Sequence, residues 1–245
     1  MKKLILHIPH SSIEIPDKDG FIVNDEILNQ ELIKITDWHT EDLYGNEKDI
    51  EVVAPFSRIF CDAERFADDS KEVMFQFGMG VLYSTLDSGE IMRNITPELR
   101  NKVLKNYYWK HHKNLSNKVT EQLKLNDECL IIDCHSFPKK PLNKALDRNP
   151  NRPDFNIGTD SYHTPKWIVE KGTEYFENLG YSVRIDWPYS GALVPLEFYQ
   201  KDKRVSSVLL EINRRLYLKE GTNEKTDSYL KTKEVVQGFL DRMRG

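Results

Sequence analysis

Two stretches of this chain close an apolar run with a histidine and a serine. Leu4-Ile5-Leu6-His7-Ile8-Pro9-His10-Ser11-Ser12 opens it, and Leu130-Ile131-Ile132-Asp133-Cys134-His135-Ser136-Phe137-Pro138 lies near its middle. Neutral imidazole suits a divalent metal, and a catalytic zinc keeps three protein ligands and one exchangeable water. His10 and His135 therefore read as two ligands of one ion. The third should be a carboxylate, and Asp37-Trp38-His39-Thr40-Glu41-Asp42 is the densest source. Asp37 and Glu41 stand four apart, on one face of a helix, so either can serve. Such a site polarises a carbonyl and activates water, the chemistry of hydrolysis. Histidine–carboxylate sites also accept divalent ions other than zinc. The plainer alternative leaves the histidines as hydrogen-bonded strand ends and the acids on a solvated face. His7, inside its run, is read as structural.

Glu211 ends the apolar run Val208-Leu209-Leu210-Glu211-Ile212-Asn213. A carboxylate buried there is costly unless it is paired or performs a task. Beside a metal it can act as general base, because partial burial lifts its pKa toward the working range. A salt bridge to Arg214 or Arg215 is the competing explanation. Arg58, Arg65, Arg184, Arg214 and Arg215 flank the strand ends, and guanidinium forks bind carboxylates bidentately, so a carboxylate-bearing substrate fits. The turn Pro188-Tyr189-Ser190-Gly191-Ala192 can bring a phenol to a ligand. Ser11, Ser12 and Ser136 adjoin histidines, but no GxSxG elbow occurs. Gly78-Met79-Gly80 lacks the rest of any phosphate-cradling fingerprint. The residues favour metal-assisted hydrolysis.

The elements that must position these groups follow from patterning. The runs at 4–8, 129–134 and 206–212 read as buried strands of a parallel sheet, whose ligands gather beyond the strand carboxyl ends. Segments 50–54 and 58–61 are shorter strand candidates, and 181–185 is another. A helix begins at Asn24-Asp25-Glu26 and carries Ile27, Leu28, Leu32, Ile35 and Leu43 at helical spacing. Thr96-Pro97-Glu98 starts a second. Leu99, Val103, Tyr107, His111, Leu115, Val119 and Leu123 trace its stripe over about seven turns. Segment 138–163 reads as one long loop, 165–178 as a helix ended by Gly180, and 226–243 as a helical tail. Alternating strands and helices predict an α/β sheet covered on both faces, in one domain over 1–245.

At 245 residues with a net charge of −4, the chain can bury one sizeable core and carries no basic footprint for nucleic acid. No apolar stretch approaches the roughly 18 residues that span a bilayer. Cys61, Cys129 and Cys134 form no CxxC, and their odd number suits a reducing cytoplasm. Composition says nothing about oligomeric state.

In these motifs the chain resembles the N-formylglutamate amidohydrolase family. The matching segments are HIPHSS at 7–12, TDWHTEDLY at 36–44, SRIFCDAERF at 57–66 and GMGVLY at 78–83. They continue with YYWKHHKNL at 107–115, LIIDCHSFP at 130–138, PYSGALVP at 188–195 and LLEINRRLY at 209–217. They run in order over most of the chain, which departs at Asp186-Trp187, where asparagine is expected. The resemblance implies a three-layer α/β/α sandwich with a mixed, mostly parallel sheet, akin to zinc carboxypeptidases. It implies a zinc-dependent amidohydrolase acting on a small N-acyl amino acid, most simply N-formyl-L-glutamate. His10 and His135 become the ligand histidines, Asp37 the favoured third ligand with His39 and Glu41 as rivals, and Glu211 the general base. Arg58, Arg65, His112, Tyr189 and Arg214 or Arg215 become substrate contacts.

Overall fold

The computed structural model describes residues 3–244. Six strands, β1 (Ile5–Ile8), β2 (Ile50–Val53), β3 (Cys129–Phe137), β4 (Phe155–Gly158), β5 (Val183–Ile185) and β6 (Val205–Asn213), form one sheet in the order β2-β1-β3-β6-β4-β5. Every pairing is parallel except β4 with β6. The sheet is therefore mixed and mostly parallel. Helices α1 (Asp25–Ile35), α2 (Thr40–Tyr44), α3 (Pro97–Val103), α4 (Trp109–Asn126), α5 (Lys166–Asn178) and α6 (Tyr229–Met243) complete the chain.

The inner strands β1, β3, β4 and β6 are buried on both faces, whereas the edge strands β2 and β5 are partly exposed. Leu6, Ile132, Val208 and Leu210 pack with Ile168, Phe176, Val236 and Phe239 from α5 and α6. On the opposite face Ile5, Ile131 and Val205 pack with Leu115, Val119 and Leu123 from α4. Helices on both faces make a three-layer α/β/α sandwich.

Register decides which side chains meet. His7 lies opposite Asp133, Ile131 opposite Ser207, and His135 opposite Glu211. Side chains alternate across a strand, so these odd-numbered positions share one face of β1, β3 and β6. That face is the one α4 covers, and His111 on α4 meets it.

Four local readings are corrected. Segment 58–61 is a turn, in which the amides of Phe60 and Cys61 both donate to the Ser57 carbonyl, so no ladder forms. The helix expected to reach Leu43 ends at Ile35, where the Thr36 amide closes on the Leu32 carbonyl, and Leu43 belongs to α2. The predicted loop 138–163 contains β4, whose four residues are fully buried between β6 and β5. The long helix is split by a π-helical turn at Leu104–Tyr108. Its stripe repeats every four residues and drifts about 40° per step on a 3.6-residue helix. Leu99 and Val103 accordingly face a core with Phe56 and Phe60, whereas Leu115 and Val119 face the sheet.

Candidate active site

His10, Asp37 and His135 converge beyond the ends of β1 and β3. All three are buried, and one donor atom from each lies within 4.8 Å of the others. Asp37 Oδ2 is 3.1 Å from His135 Nδ1 and 3.7 Å from His10 Nδ1. Bonds of 2.0–2.1 Å in a tetrahedron place neighbouring ligand atoms about 3.3 Å apart, so this cluster has the span a zinc-sized cation needs. The donor chemistry agrees, since His10 Nδ1 is buried with no hydrogen-bond partner. A buried acceptor left unmade is costly, and a cation satisfies it.

Each ligand is held from behind, as metal ligands generally are. His10 Nε2 bonds Asp62 Oδ1 at 2.8 Å. His135 Nε2 lies 3.1 Å from Glu64 Oε1 and 3.3 Å from Asp133 Oδ1. Asp37 accepts from the Ser136 amide on one oxygen and from Arg214 Nη2 at 2.8 Å on the other. Burial opposes ionisation of Asp37, but His10, His135 and Arg214 outweigh it and hold the carboxyl well below its ordinary range. Burial likewise opposes a proton on His135, yet Glu64 and Asp133 push its pKa well up. The surroundings are thus strongly anionic and favour a cation, either proton or metal.

A second group, His7, Glu64 and Asp133, also brings metal-binding side chains together. Here His7 Nδ1 bonds Asp133 Oδ1 at 2.7 Å, and His7 Nε2 meets His111 Nε2 at 2.9 Å. Those nitrogens are spent on each other and on the carboxylate. His7 therefore buttresses Asp133 and, through it, His135.

Glu211 lies beside His135 on β6. Its Oε2 is buried and has no hydrogen-bond partner. Burial lifts its carboxyl to about 8, with His135 and Arg214 opposing the rise and Asp37 and Glu64 adding to it. A carboxyl of this kind beside a metal-competent triad is suited to take and return a proton near neutral pH.

The triad and Glu211 line a cavity of about 540 Å³. Arg58, Arg65, His112, Tyr189 and Arg214 also line it. Arg58 is forked onto Asp62 Oδ2, with Nη1 3.7 Å from Asp37 Oδ1. Arg65 has Nε 3.6 Å from Asp62 and Nη1 3.8 Å from Glu72. His112 Nε2 bonds the Ala63 carbonyl, and burial lowers its pKa to about 4, so it is neutral at pH 7. Arg214 spends its nitrogens on Asp37, Ser136 and the Lys34 carbonyl, which makes it the support of a ligand.

Three expected candidates stand elsewhere. Arg215 is exposed, pairs with Asp154 at 2.7 Å and is absent from the cavity wall. His39 adopts φ 63°, and its ring meets the Asn223 carbonyl. Glu41 lies on a separate shallow cleft with His39 and Asp42. Of the three acids and bases weighed as third ligand, only Asp37 joins the histidines. Ser136 is a partner of Arg214 and is not set against a free imidazole base. Sequence reading missed Asp62, Glu64, Asp133 and Arg152. Asp133 was recoverable, because it alternates with His135 on one strand.

A model of the N-formylglutamate amidohydrolase family matches residues 2–218. The fold is similar to the crystal structure of N-formylglutamate amidohydrolase from Ralstonia eutropha JMP134, with TM-score 0.84, 21% identity, and 98% of this chain and 91% of that chain covered. A gene product from Agrobacterium tumefaciens is similar with TM-score 0.67 and 15% identity, covering 100% of this chain and 92% of that chain. No curated protein sequence matches. Among the described residues no helix is long and apolar enough to cross a membrane.

Proposed function

The chain belongs to the N-formylglutamate amidohydrolase family, and from that premise we propose a metal-dependent hydrolysis of N-formyl-L-glutamate to formate and L-glutamate. Zinc is the proposed resident ion, with His10, Asp37 and His135 as the residues that would hold it. When bound, zinc polarises a carbonyl and lowers the pKa of water. Glu211 takes the proton of the attacking water and returns it to the nitrogen as the C–N bond breaks. Asp62 and Asp133 keep the imidazoles turned toward Asp37, and Arg214 keeps Asp37 ionised. Arg58, beside Asp37, faces the negative charge that develops on the acyl oxygen. Three buried free cysteines support a reducing compartment, the cytoplasm.

The observation that carries this reading is the pairing of Glu211 with His135 in register, its second oxygen unpartnered at the edge of the triad. The test is formate release from N-formyl-L-glutamate by zinc-loaded protein, before and after chelation. Activity that disappears with chelation and returns with zinc is expected. No formate release from fully loaded protein, or turnover that survives removal of the metal, overturns the reading.

A further inference from the structure

Among the described residues, one guanidinium that lines the cavity has no acid paired with it. Arg58 faces Asp62, Arg65 faces Asp62 and Glu72, and Arg214 faces Asp37. Arg152 lines the same cavity and is only 5% exposed. Its Nη1 donates to Tyr189 Oη at 3.0 Å and its Nη2 to the Asp147 carbonyl at 2.9 Å. Its Nε is buried without a partner. Asp147 feels the Arg152 charge, but its half-buried carboxylate accepts from the Trp187 indole at 2.6 Å and makes no ion pair with the guanidinium. Among the described residues no carboxylate forms an ion pair with Arg152.

A buried guanidinium without a counter-charge is expensive, so the fold holds this one in place by other means. Its Cζ lies over the rings of Phe137 and Tyr189, 5.7 and 5.4 Å from their centroids. Tyr189 is anchored in turn through its amide to Asn156 Oδ1. The guanidinium is therefore fixed before any ligand arrives, and pre-organisation of this kind lowers the entropic cost of binding. Of its five N–H donors two are used, which leaves three without a partner to offer a carboxylate. Tyr189 feels the charges of both Arg152 and Glu211, so the proton-transfer group and this cation both lie near one phenol.

We propose that Arg152 determines specificity by receiving a carboxylate of the substrate. The identity of the substrate rests on the amide-hydrolase reading above; the demand for an anion rests on the surroundings of Arg152 alone. The carboxylate comes either from the α-position or from the side chain of the acylated amino acid, and a substrate series separates the two.

Zinc-loaded wild type, Arg152→Gln and Arg152→Lys are assayed on N-formylglutamate, N-formylglutamine and the α-amide of N-formylglutamate. Losing a charge-assisted hydrogen bond costs about ten- to a hundredfold in kcat/KM. For Arg152→Gln the loss appears mainly in KM, and Arg152→Lys restores part of it. If Arg152 reads the side chain, N-formylglutamate and the α-amide lose and N-formylglutamine does not. If it reads the α-carboxylate, N-formylglutamate and N-formylglutamine lose and the α-amide does not. An equal loss on all three substrates, or no loss on any, overturns the proposal.

Calorimetric titration of the same holoproteins with glutarate supplies a readout independent of turnover. Wild type binds glutarate, and Arg152→Gln binds it at least about tenfold more weakly. Wild type that binds glutarate but releases no formate removes the catalytic reading and retains Arg152 as a carboxylate site. Wild type and variant that bind glutarate alike, with matching thermal melts, remove Arg152.

Discussion

Replacing Glu211 by glutamine probes the site without relying on turnover. Burial takes this carboxyl from 4.5 to about 8. At about 1.4 kcal/mol per unit, ionising it inside the metal-free protein costs roughly 5 kcal/mol. At pH 7 about nine in ten Glu211 side chains then carry a proton. His135 and Glu211 stand opposite each other on strands about 5 Å apart, so a divalent cation held by His135 would lie at a distance of that order from the carboxylate. At an effective dielectric of 20 it attracts the carboxylate by roughly 6–7 kcal/mol, enough to offset the burial cost. Binding of the cation must therefore expel the proton. Protons leaving the histidines are common to wild type and Glu211→Gln, so the difference between them isolates Glu211. Zinc titrated by calorimetry in buffers of different ionisation enthalpy should show wild type releasing about 0.9 more proton at pH 7 and about 0.1 more at pH 9. The same sign governs stability of the metal-free protein. A raised carboxyl pKa contributes stability below 4.5 that is lost as pH rises through about 8. Glu211→Gln should therefore gain on wild type in thermal melts across that window. In turnover the variant keeps stoichiometric zinc and loses at least about a hundredfold in kcat. Identical proton release at both pH values would refute the claim that burial keeps Glu211 protonated beside the cation.

Two further perturbations follow from the supports of the site. Asp62→Asn removes the carboxylate behind His10, and loss of such a partner costs about ten- to a hundredfold in metal affinity. Competition with a chromophoric chelator measures it, and unchanged affinity would show that Asp62 does not orient the ligand. Tyr44 is fully buried, with its hydroxyl shared between the carbonyls of His135 and Leu210. Tyr44→Phe should lower stability by about 1–2 kcal/mol in urea melts, and no change would mean that these carbonyls need no third partner.

The parts of the site legible in sequence are those that strand pattern controls. His10, His135 and Glu211 each close an apolar run, and a buried strand leaves its polar residues to its carboxyl end, where parallel sheets do chemistry. The three-layer sheet followed from the same runs. β4 did not, because its four residues lie behind Pro153 in a stretch rich in Asn, Asp and Pro, and only pairing with β6 and β5 makes them a strand.

Asp37 and Glu41 could not be separated, because the choice turns on where a helix stops. Continuous helix would put both on one face. The chain instead leaves α1 at Thr36, and the Asp37 amide then bonds the His10 carbonyl. That bond pins Asp37 beside the first ligand. The left-handed His39 then starts α2, leaving Glu41 on the shallow cleft away from the triad. Arg152 was illegible for a deeper reason. Five flanking arginines drew attention through their nearness to strand ends, yet four of them are paired with acids of this chain, and the cavity-lining guanidinium that lacks such a partner sits in a loop. An unpaired charge is defined by what does not surround it, and that property exists only once the chain has folded. The pattern of a sheet can be read forward from residue types, whereas the charge left over for a ligand can be read only after every internal partner has been assigned.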